Sequence, residues 1–296
     1  MEKETYHVPV LLEESVALLD IKPAGSYADL TFGGGGHSRH ILSLLGNEGR
    51  LYGFDQDSDT LANAPDDDRF HYVASNFRFL RGALRWRGVE AVDGILADLG
   101  VSSHHFDELE RGFSFRGSAP LDMRMDMGTF RHAGREAWME SARTVVNMAD
   151  VNTLRQIIES YGEDPQAARI ARAIVDARQE KPIETTGQLA DIVWHAYPAK
   201  WRAQARNHPA TRTFQAIRMV VNDELGQLER FLDAILPRLA VGGRLAIITF
   251  HSLEDRIVKN TFRTMADPCI CPKNMPVCVC GKKPEIKIIT KRRIQK

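Results

Sequence analysis

Residues 27–37 read Tyr-Ala-Asp-Leu-Thr-Phe-Gly-Gly-Gly-Gly-His, and this stretch decides the fold. A short apolar run ends in four consecutive glycines, and a segment that suits a helix, Ser38 to Leu45, follows at once. This order predicts a β-strand, a tight turn and the N-terminus of an α-helix. Glycine lacks a Cβ and tolerates positive φ, so the N–H groups of such a turn can approach a ligand closely. The pattern indicates a nucleotide-like cofactor, although a glycine-rich turn that binds no ligand can have the same sequence.

The spacing of the glycines distinguishes two classes of cofactor. A dinucleotide fingerprint needs G-x-G-x-x-G, and here the third glycine position is Ser38 in one register and Arg39 in the other. A nicotinamide-dependent oxidoreductase is therefore disfavoured. The run fits acidic-x-small-x-Gly-x-Gly instead, a pattern typical of the first motif of S-adenosylmethionine (SAM) methyltransferases. Its four fixed positions are Asp29, Thr31, Gly33 and Gly35.

Carboxylates end two further predicted strands. Asp55 closes the buried pattern of residues 50–55, about twenty residues after the glycines, where an acid can accept both hydroxyls of a ribose. Asp98 ends the apolar run of residues 93–99 in the same way. Ligands of open α/β sheets bind at the carboxyl ends of the strands, so we expect the glycines and both acids to converge. The alternative for Asp55 is that it only begins an acidic surface over residues 55–59.

The sheet pattern is interrupted after its fourth predicted strand. Helical patterns follow near residues 137–147, 151–161, 164–180 and 186–197, then a long helix over about 211–236 and a buried strand over 241–250. The sequence therefore predicts an α/β fold, a doubly wound sheet formed by residues 1–105 and 212–296. An all-helical domain over residues 106–211 is inserted in it. Residues 285–290 are expected to add a late antiparallel edge strand.

Charge and hydropathy set broad limits on partners. Lys plus Arg and Asp plus Glu number 39 each, so the net charge favours no class of partner. Residues 200–218 and the tail from Lys282 are locally basic, which suits either phosphate docking or an ordinary solvated face. The N-terminal residues show no basic region followed by an apolar core, and no apolar run approaches about 20 residues. We expect a cytoplasmic protein with no membrane partner.

All four cysteines fall in one short stretch, as Cys269, Cys271, Cys278 and Cys280. In a reducing cytosol such clustering favours a metal over disulfides, and four thiolates could close a tetrahedral zinc site. The C-x-C spacing is unusual for a single metal, since C-x-x-C is the common form. Free thiols in a surface loop are the alternative.

Seven longer motifs occur together in this chain. They are His7-Val-Pro-Val-Leu-Leu-Glu-Glu, Thr31-Phe-Gly-Gly-Gly-Gly-His-Ser, Asp93-Gly-Ile-Leu-Ala-Asp-Leu-Gly-Val-Ser-Ser, Glu110-Arg-Gly-Phe-Ser-Phe, Pro120-Leu-Asp-Met-Arg-Met-Asp, His208-Pro-Ala-Thr-Arg-Thr-Phe-Gln-Ala-Ile-Arg and Thr249-Phe-His-Ser-Leu-Glu-Asp-Arg. With these motifs the chain resembles, over nearly its whole length, the MraW family of bacterial small-subunit rRNA methyltransferases. The resemblance implies a Rossmann-like SAM methyltransferase fold with an inserted helical domain. It also implies SAM-dependent N4-methylation of one cytidine in the decoding region, with small-subunit rRNA or the ribosomal subunit as partner.

The resemblance carries roles for the cofactor site onto matching positions. Gly35, Gly36 and His37 match the family's cofactor loop, and Gly33 and Gly34 of the same glycine run are cofactor-binding candidates from their position in the turn. Asp55 matches the ribose-binding acid, Phe77 an aromatic beside the adenine, and Asp98 the acid under the methionine moiety. His105 stands where the family usually has Gln. A histidine can still donate one hydrogen bond to the cofactor, and the alternative is that it points to solvent.

Cytosine N4 is a poor nucleophile, so a proton acceptor beside it would help the reaction. Amino-methyltransferases commonly use an acidic-or-Asn-Pro-Pro-aromatic loop there, and this chain has Asp98-Leu-Gly-Val instead. The candidate acceptors are Asp98, a backbone carbonyl in residues 99–102, and His251, which could equally be a structural hydrogen-bonding residue.

Candidate RNA contacts are of two kinds. Arg116, Arg206 and Arg212 could hold phosphates, and Phe113, Phe115 or Trp201 could stack on the target base. Each arginine could instead form a structural ion pair, an outcome that its acidic neighbours favour for Arg124. A non-catalytic RNA-binding or ribosome-assembly factor would share the basic patches, but it would not need carboxylates at two strand ends.

Overall fold

The computed structural model describes residues 9–100, 109–125, 136–272, 275, 277–290 and 294. The chain divides into two compact units, Met1–Gly100 with Leu225–Lys296, and Val101–Glu224. The return to the first unit thus falls between residues 224 and 225, where the sequence analysis had placed it between 211 and 212. The helix over Ala210–Asn222 packs against helices of the second unit, so it belongs with them.

The first unit is built on a five-stranded sheet. Its strands are β1 (Ser26–Asp29), β2 (Arg50–Asp55), β3 (Phe70–Ala74), β4 (Val92–Asp98) and β5 (Leu239–Ile248). Their order is β3-β2-β1-β4-β5, and every described pairing is parallel. The chain adds β2 and β3 on one side of β1, and β4 and β5 on the other, so the strand order reverses between β1 and β4. Open α/β sheets bind their ligands at such a point. The doubly wound sheet predicted from the sequence is confirmed.

Helices cover both faces of this sheet, which is why its strands are almost continuously apolar. They are α1 (Leu12–Leu18), α2 (Gly36–Leu44), α3 (Leu80–Trp86), α10 (Glu224–Ile235) and α11 (Ser252–Ala266). Successive strand residues supply opposite cores. Ile95 packs with Phe231 and the other buried residues of α10, whereas Leu96 packs with Ile41 of α2.

The expected edge strand over residues 285–290 is absent from the described structure. This segment forms neither a helix nor a strand, and the Glu285 N–H donates to the Met265 carbonyl at 2.9 Å. Ile288 and Ile289 remain 43% and 52% exposed, so their apolar surface is not drawn into the core. The prediction was wrong because a β-prone composition does not by itself supply a paired edge.

The second unit is helical in its described part. Its helices are α4 (Ala142–Met148), α5 (Val151–Gly162), α6 (Ala167–Glu180), α7 (Thr186–Ala196), α8 (Ala199–Gln204) and α9 (Ala210–Asn222). Side chains of Ser141, Asp150 and Thr185 cap α4, α5 and α7 by accepting hydrogen bonds from the first backbone N–H groups. A buried bond from the Tyr197 hydroxyl to the Asp164 carboxylate, 2.5 Å long, links the ends of α7 and α5.

The single long helix expected over residues 211–236 is two helices. Asp223 adopts a left-handed conformation with φ of 50°, which ends α9, and α10 begins at the next residue. Within the described residues, no helix combines the length and the apolar composition needed to cross a membrane.

Candidate active site

The glycine run forms a tight loop between β1 and α2. Gly33 and Gly35 have φ of 50° and 73°, a region that side chains other than glycine rarely adopt, and Gly35 is the N-cap of α2. A Cβ on Gly36 would lie 2.3 Å from Cγ of Pro9, so this position requires glycine for space. A Cβ on Gly34 would meet nothing within 4 Å. The loop therefore leaves an open approach to its backbone at Gly34.

Asp29 and Thr31 tie this loop to the neighbouring strand. Asp29 is fully buried and accepts bonds from the Ser38 hydroxyl at 2.7 Å and from the Thr31 N–H at 3.3 Å. Burial raises the pKa of Asp29 to about 6, although both hydrogen bonds oppose the shift. The Thr31 hydroxyl in turn accepts the Asp98 N–H at 2.7 Å, so it joins the carboxyl ends of β1 and β4. A glycine at residue 31 could not make this contact.

Asp55 lies against the glycine loop. Its Oδ2 accepts the Gly33 N–H at 2.8 Å and its Oδ1 accepts the Asp57 N–H at 2.9 Å. The Asn63 amide also donates to the Gly33 carbonyl at 3.1 Å. The contact between Asp55 and the loop spans 22 residues of sequence and could not be read from either motif alone.

Phe77 follows β3 at the same end of the sheet. The Asn76 side chain accepts the Arg78 N–H at 2.9 Å and its amide donates to the Gln56 side chain at 2.6 Å. The half-buried Phe77 ring packs edge-on against Phe231, with centroids 5.5 Å apart. Sequence analysis missed Gln56 and Asn76, two side chains that carry amide groups beside the aromatic ring.

Asp98 is the most perturbed acid at this end of the sheet. Its Oδ1 is buried and has no hydrogen-bond partner among the described residues, and its Oδ2 lies 3.8 Å from Nδ1 of His37. Burial, then the charges of Asp29 and Glu254, raise the pKa of Asp98 to about 7. Burial lowers the pKa of His37 to about 4, although a hydrogen bond to the Val10 carbonyl acts in the opposite direction. This imidazole is therefore neutral at pH 7. His37 therefore provides no positive charge to the Asp98 carboxylate.

His251 lies just after β5, whose Ile248 is paired with Asp98. It is the N-cap of α11, where its Nδ1 accepts the Glu254 N–H at 3.4 Å. Nε2 of His251 is 3.2 Å from the Glu254 carboxylate, but the two groups do not form a hydrogen bond. The buried Glu254 accepts the Phe250 N–H at 3.0 Å. These contacts give His251 a structural task.

Phe250 and Glu254 were missed by sequence analysis. The Phe250 ring is 56% exposed, and a Cβ added to Gly100 would lie 3.2 Å from it. The sequence could not identify Phe250 as a site residue, because a phenylalanine at this position also suits the interior of a buried strand. Glu254 reads as an ordinary first-turn acid of a helix, and only the fold buries it.

The predicted RNA contacts in the second unit have different surroundings. Arg116 and Arg206 are exposed, and among the described residues no side-chain hydrogen bond or ion pair holds either. Arg212 donates to the Glu163 carbonyl at 2.8 Å, which supports the end of α5. Arg124 is bound to Asp122 through two bonds of 2.8 and 2.6 Å, the structural ion pair anticipated for it.

Aromatic side chains lie beside Arg202 in this unit. Trp194 stacks on His208 at 5.2 Å, Arg202 lies over the Trp194 ring, and Trp201 is 48% exposed. We call residues 194, 201, 202, 206 and 208 the aromatic–basic surface. Phe113, one of the three candidate stacking residues, is by contrast only 5% exposed and lies in the helical core, which disfavours it for stacking on a base.

Two remaining candidates complete the set. His105 lies outside the described residues. The four cysteines are brought together, with their sulfur atoms all within 4.8 Å of one another, despite the unusual spacing.

Comparisons with known proteins find relatives over nearly the whole chain. A model of the MraW methylase family matches residues 4–296. A protein of Nitratidesulfovibrio vulgaris (strain DSM 19637 / Miyazaki F) named ribosomal RNA small subunit methyltransferase H is 53% identical over 295 residues, covering 98% of this chain and 80% of that protein. Proteins of the same name from Symbiobacterium thermophilum and Clostridioides difficile are 49% and 48% identical, and each match covers 98% of this chain. It covers 90% of the former protein and 92% of the latter.

Solved structures match smaller parts of the chain. Aeropyrum pernix fibrillarin with natively bound S-adenosyl-L-methionine is 21% identical, over 31% of this chain and 43% of that one, with a TM-score of 0.26. An rRNA methylase from Streptococcus thermophilus is 17% identical, over 40% of this chain and 70% of that one, with a TM-score of 0.24. Matches with such low TM-scores are not evidence about function.

Proposed function

Because the chain belongs to the MraW methylase family and is a SAM-dependent methyltransferase, we propose that it methylates N4 of one cytidine in the decoding region of small-subunit rRNA. The relatives named above support small-subunit rRNA as the substrate. The single structural observation that carries the proposal is the group of polar atoms at the carboxyl ends of β1, β2 and β4, with Asp98 at its centre.

The residues at this end of the sheet fit the cofactor. The open space at Gly34 permits close approach, and the Asp55 carboxylate lies against the same loop, where it would accept the ribose hydroxyls. The Oδ1 of Asp98, which has no hydrogen-bond partner in the part of the chain that the structure describes, suits a cationic amino group, since a buried carboxylate without a partner is costly. Phe77 would contact the adenine. When bound, the cofactor supplies an activated methyl group.

Asp98 is the first candidate to accept the proton that N4 loses. A general base works best when its pKa lies near the working pH, and the pKa of Asp98 is about 7. The same carboxylate could instead bind the cofactor's amino group. Single-turnover rates at saturating SAM separate the two roles, because Asp98→Asn would slow the chemical step only if Asp98 also takes the proton.

His251 is the second candidate acceptor, and its capping contact offers a clean test. His251→Ser removes the imidazole but keeps an oxygen that can cap α11. A large loss of methylation rate with unchanged thermal unfolding would assign the proton to His251. A retained rate would restrict this side chain to capping.

Two surfaces support contact with RNA. The exposed Phe250 ring lies next to the loop that follows Asp98, within the first unit, and could stack on a base displaced from its neighbours. The aromatic–basic surface of the second unit combines rings with Arg202 and Arg206, a composition that suits single-stranded RNA. Arg116 and Arg212 are further candidates for phosphate contacts.

The proposal is tested by nucleoside mass spectrometry of small-subunit rRNA. Subunits from a strain lacking the gene are incubated with the protein and methyl-labelled SAM. Labelled N4-methylcytidine at one position is the expected product, and Asp98→Ala should abolish it. The matched control Asp93→Asn, at the opposite end of the same strand, should retain it. Label on another nucleoside, or no label although SAM binds, would refute the proposed target.

A further inference from the structure

The segment after α11 contains a cluster of sulfur atoms that methyl transfer does not use. Four Sγ···Sγ distances are short: 3.6 Å for Cys269 to Cys278, 3.9 Å for Cys271 to Cys278, 3.4 Å for Cys278 to Cys280, and 3.9 Å for Cys280 to Cys269. The remaining two pairs also lie within 4.8 Å. The four atoms therefore approximate the corners of a single tetrahedron.

The size of this tetrahedron matches one metal ion. A zinc ion bound to four thiolates at about 2.3 Å places neighbouring sulfur atoms about 3.8 Å apart. The observed distances of 3.4 to 3.9 Å bracket that value. The Val279 N–H also donates to the Cys271 sulfur at 3.4 Å, the kind of backbone contact that orients a thiolate ligand.

The segment around the cysteines has features of a stretch that a metal ion stabilises. Among the described residues from 267 to 281 there is no helix or strand. The apolar side chains between the cysteines are exposed, Ile270 by 71%, Val277 by 69% and Val279 by 73%, so no core holds this stretch in place. Small segments without a core usually rely on a metal or on disulfides. Lys282 and Lys283 follow directly and would partly offset the net negative charge of a four-thiolate zinc site.

We propose that Cys269, Cys271, Cys278 and Cys280 bind one structural zinc ion. Four protein ligands close the coordination sphere, so the ion has no open position for substrate and takes no part in methyl transfer. Binding displaces protons from the thiols and fixes the chain that leads from α11 to the basic tail. The inference is independent of the RNA target, since it rests on the sulfur geometry alone.

Metal analysis of the purified full-length protein tests this site. We expect about one zinc per chain after gel filtration. In Cys269→Ser and Cys280→Ser, we expect apparent zinc affinity to fall by at least about tenfold. The matched control Val277→Ser changes an exposed neighbour that is not a ligand and should keep its zinc. All cysteines of the chain are in the cluster, so a thiol titration reports on this site alone.

A second measurement does not depend on variants that could fail to fold. The zinc-free, reduced protein is titrated with Co²⁺, which should give the intense visible absorption of a tetrahedral cobalt–thiolate centre and lose it on addition of Zn²⁺. The proposal is overturned if no such spectrum appears and purified protein holds no zinc. It is also overturned if the cysteines of the purified protein are found as disulfides, or if Val277→Ser loses as much zinc as the cysteine variants.

Discussion

SAM affinity should depend on pH through a single carboxyl group, Asp98. The pKa of this group is raised to about 7 by burial and by the charges of Asp29 and Glu254. A buried, ionised Asp98 is the form that can bind the cofactor's amino group. Molecules with a protonated Asp98 must lose that proton before SAM binds. The apparent affinity is therefore the affinity of the ionised form multiplied by the fraction of molecules that are ionised.

The size of this effect follows from the pKa. With a pKa of about 7, roughly half of the molecules are ionised at pH 7 and about 1% at pH 5, so the apparent Kd should rise about fiftyfold between them. The cofactor's amino group stays protonated over this range and adds no pH dependence of its own. In Asp98→Asn the profile should be flat. Affinity at pH 7 should fall by about tenfold or more, since a charge-assisted hydrogen bond contributes about 1.5–3 kcal/mol.

Isothermal titration calorimetry with SAM measures both quantities. Repeating the titration in buffers of different ionisation enthalpy should also show about 0.9 proton released per SAM bound at pH 6. The control Asp93→Asn changes an acid at the amino end of β4, where its carboxylate accepts the Ser26 N–H at 2.9 Å, and should keep the wild-type profile. A flat wild-type profile, or an unchanged slope in Asp98→Asn, would show that Asp98 is not the group that must ionise.

Four further substitutions test the glycine loop, the RNA surface and the helical core separately. Gly36→Ala should destabilise the fold by about 1–3 kcal/mol in thermal unfolding because its Cβ meets Pro9 at 2.3 Å. Gly34→Ala has open space, so it should melt normally but bind SAM more weakly; equal melting of the two variants would contradict this contrast. Arg206→Ala should weaken binding of small-subunit rRNA, measured by filter binding, at unchanged SAM affinity, and loss of both would indicate misfolding instead. Tyr197→Phe should cost about 1–3 kcal/mol of unfolding free energy, seen in urea melts, because a buried acceptor loses its donor; an unchanged midpoint would show that this bond contributes little.

The sequence predicts local features well because adjacent residues determine them. The glycine loop and the acids at strand ends follow from runs of a few residues, and the structure has them where they were expected. The break at Asp223 was missed because the apolar stripe continues across it, from Val221 to Leu228. Only a left-handed residue interrupts the helix there, and aspartate does so without a distinct sequence signal.

Contacts between distant segments were beyond the reach of sequence patterns. Asp55 was correctly placed at a strand end, but its bond to the Gly33 N–H depends on how two strands align. Glu254 looks like a solvated first-turn acid until α11 is packed against the core of the first unit. For the cysteines, spacing argued against a single metal, whereas the fold of the segment brings all four sulfur atoms together.

The buried acids at this end of the sheet also explain the choice of cofactor. The pKa values of Asp29 and Asp98 are raised to about 6 and about 7. Their contribution to stability is therefore fully present below the unfolded value near 4 and is lost as pH rises through 6 and 7. At neutral pH the empty site thus destabilises the fold, and a cation bound there would relieve the cost. SAM carries a sulfonium and an amino group, whereas the pyrophosphate of a dinucleotide would be repelled by the same carboxylates. Electrostatics and the broken dinucleotide fingerprint exclude the same class of cofactor for independent reasons.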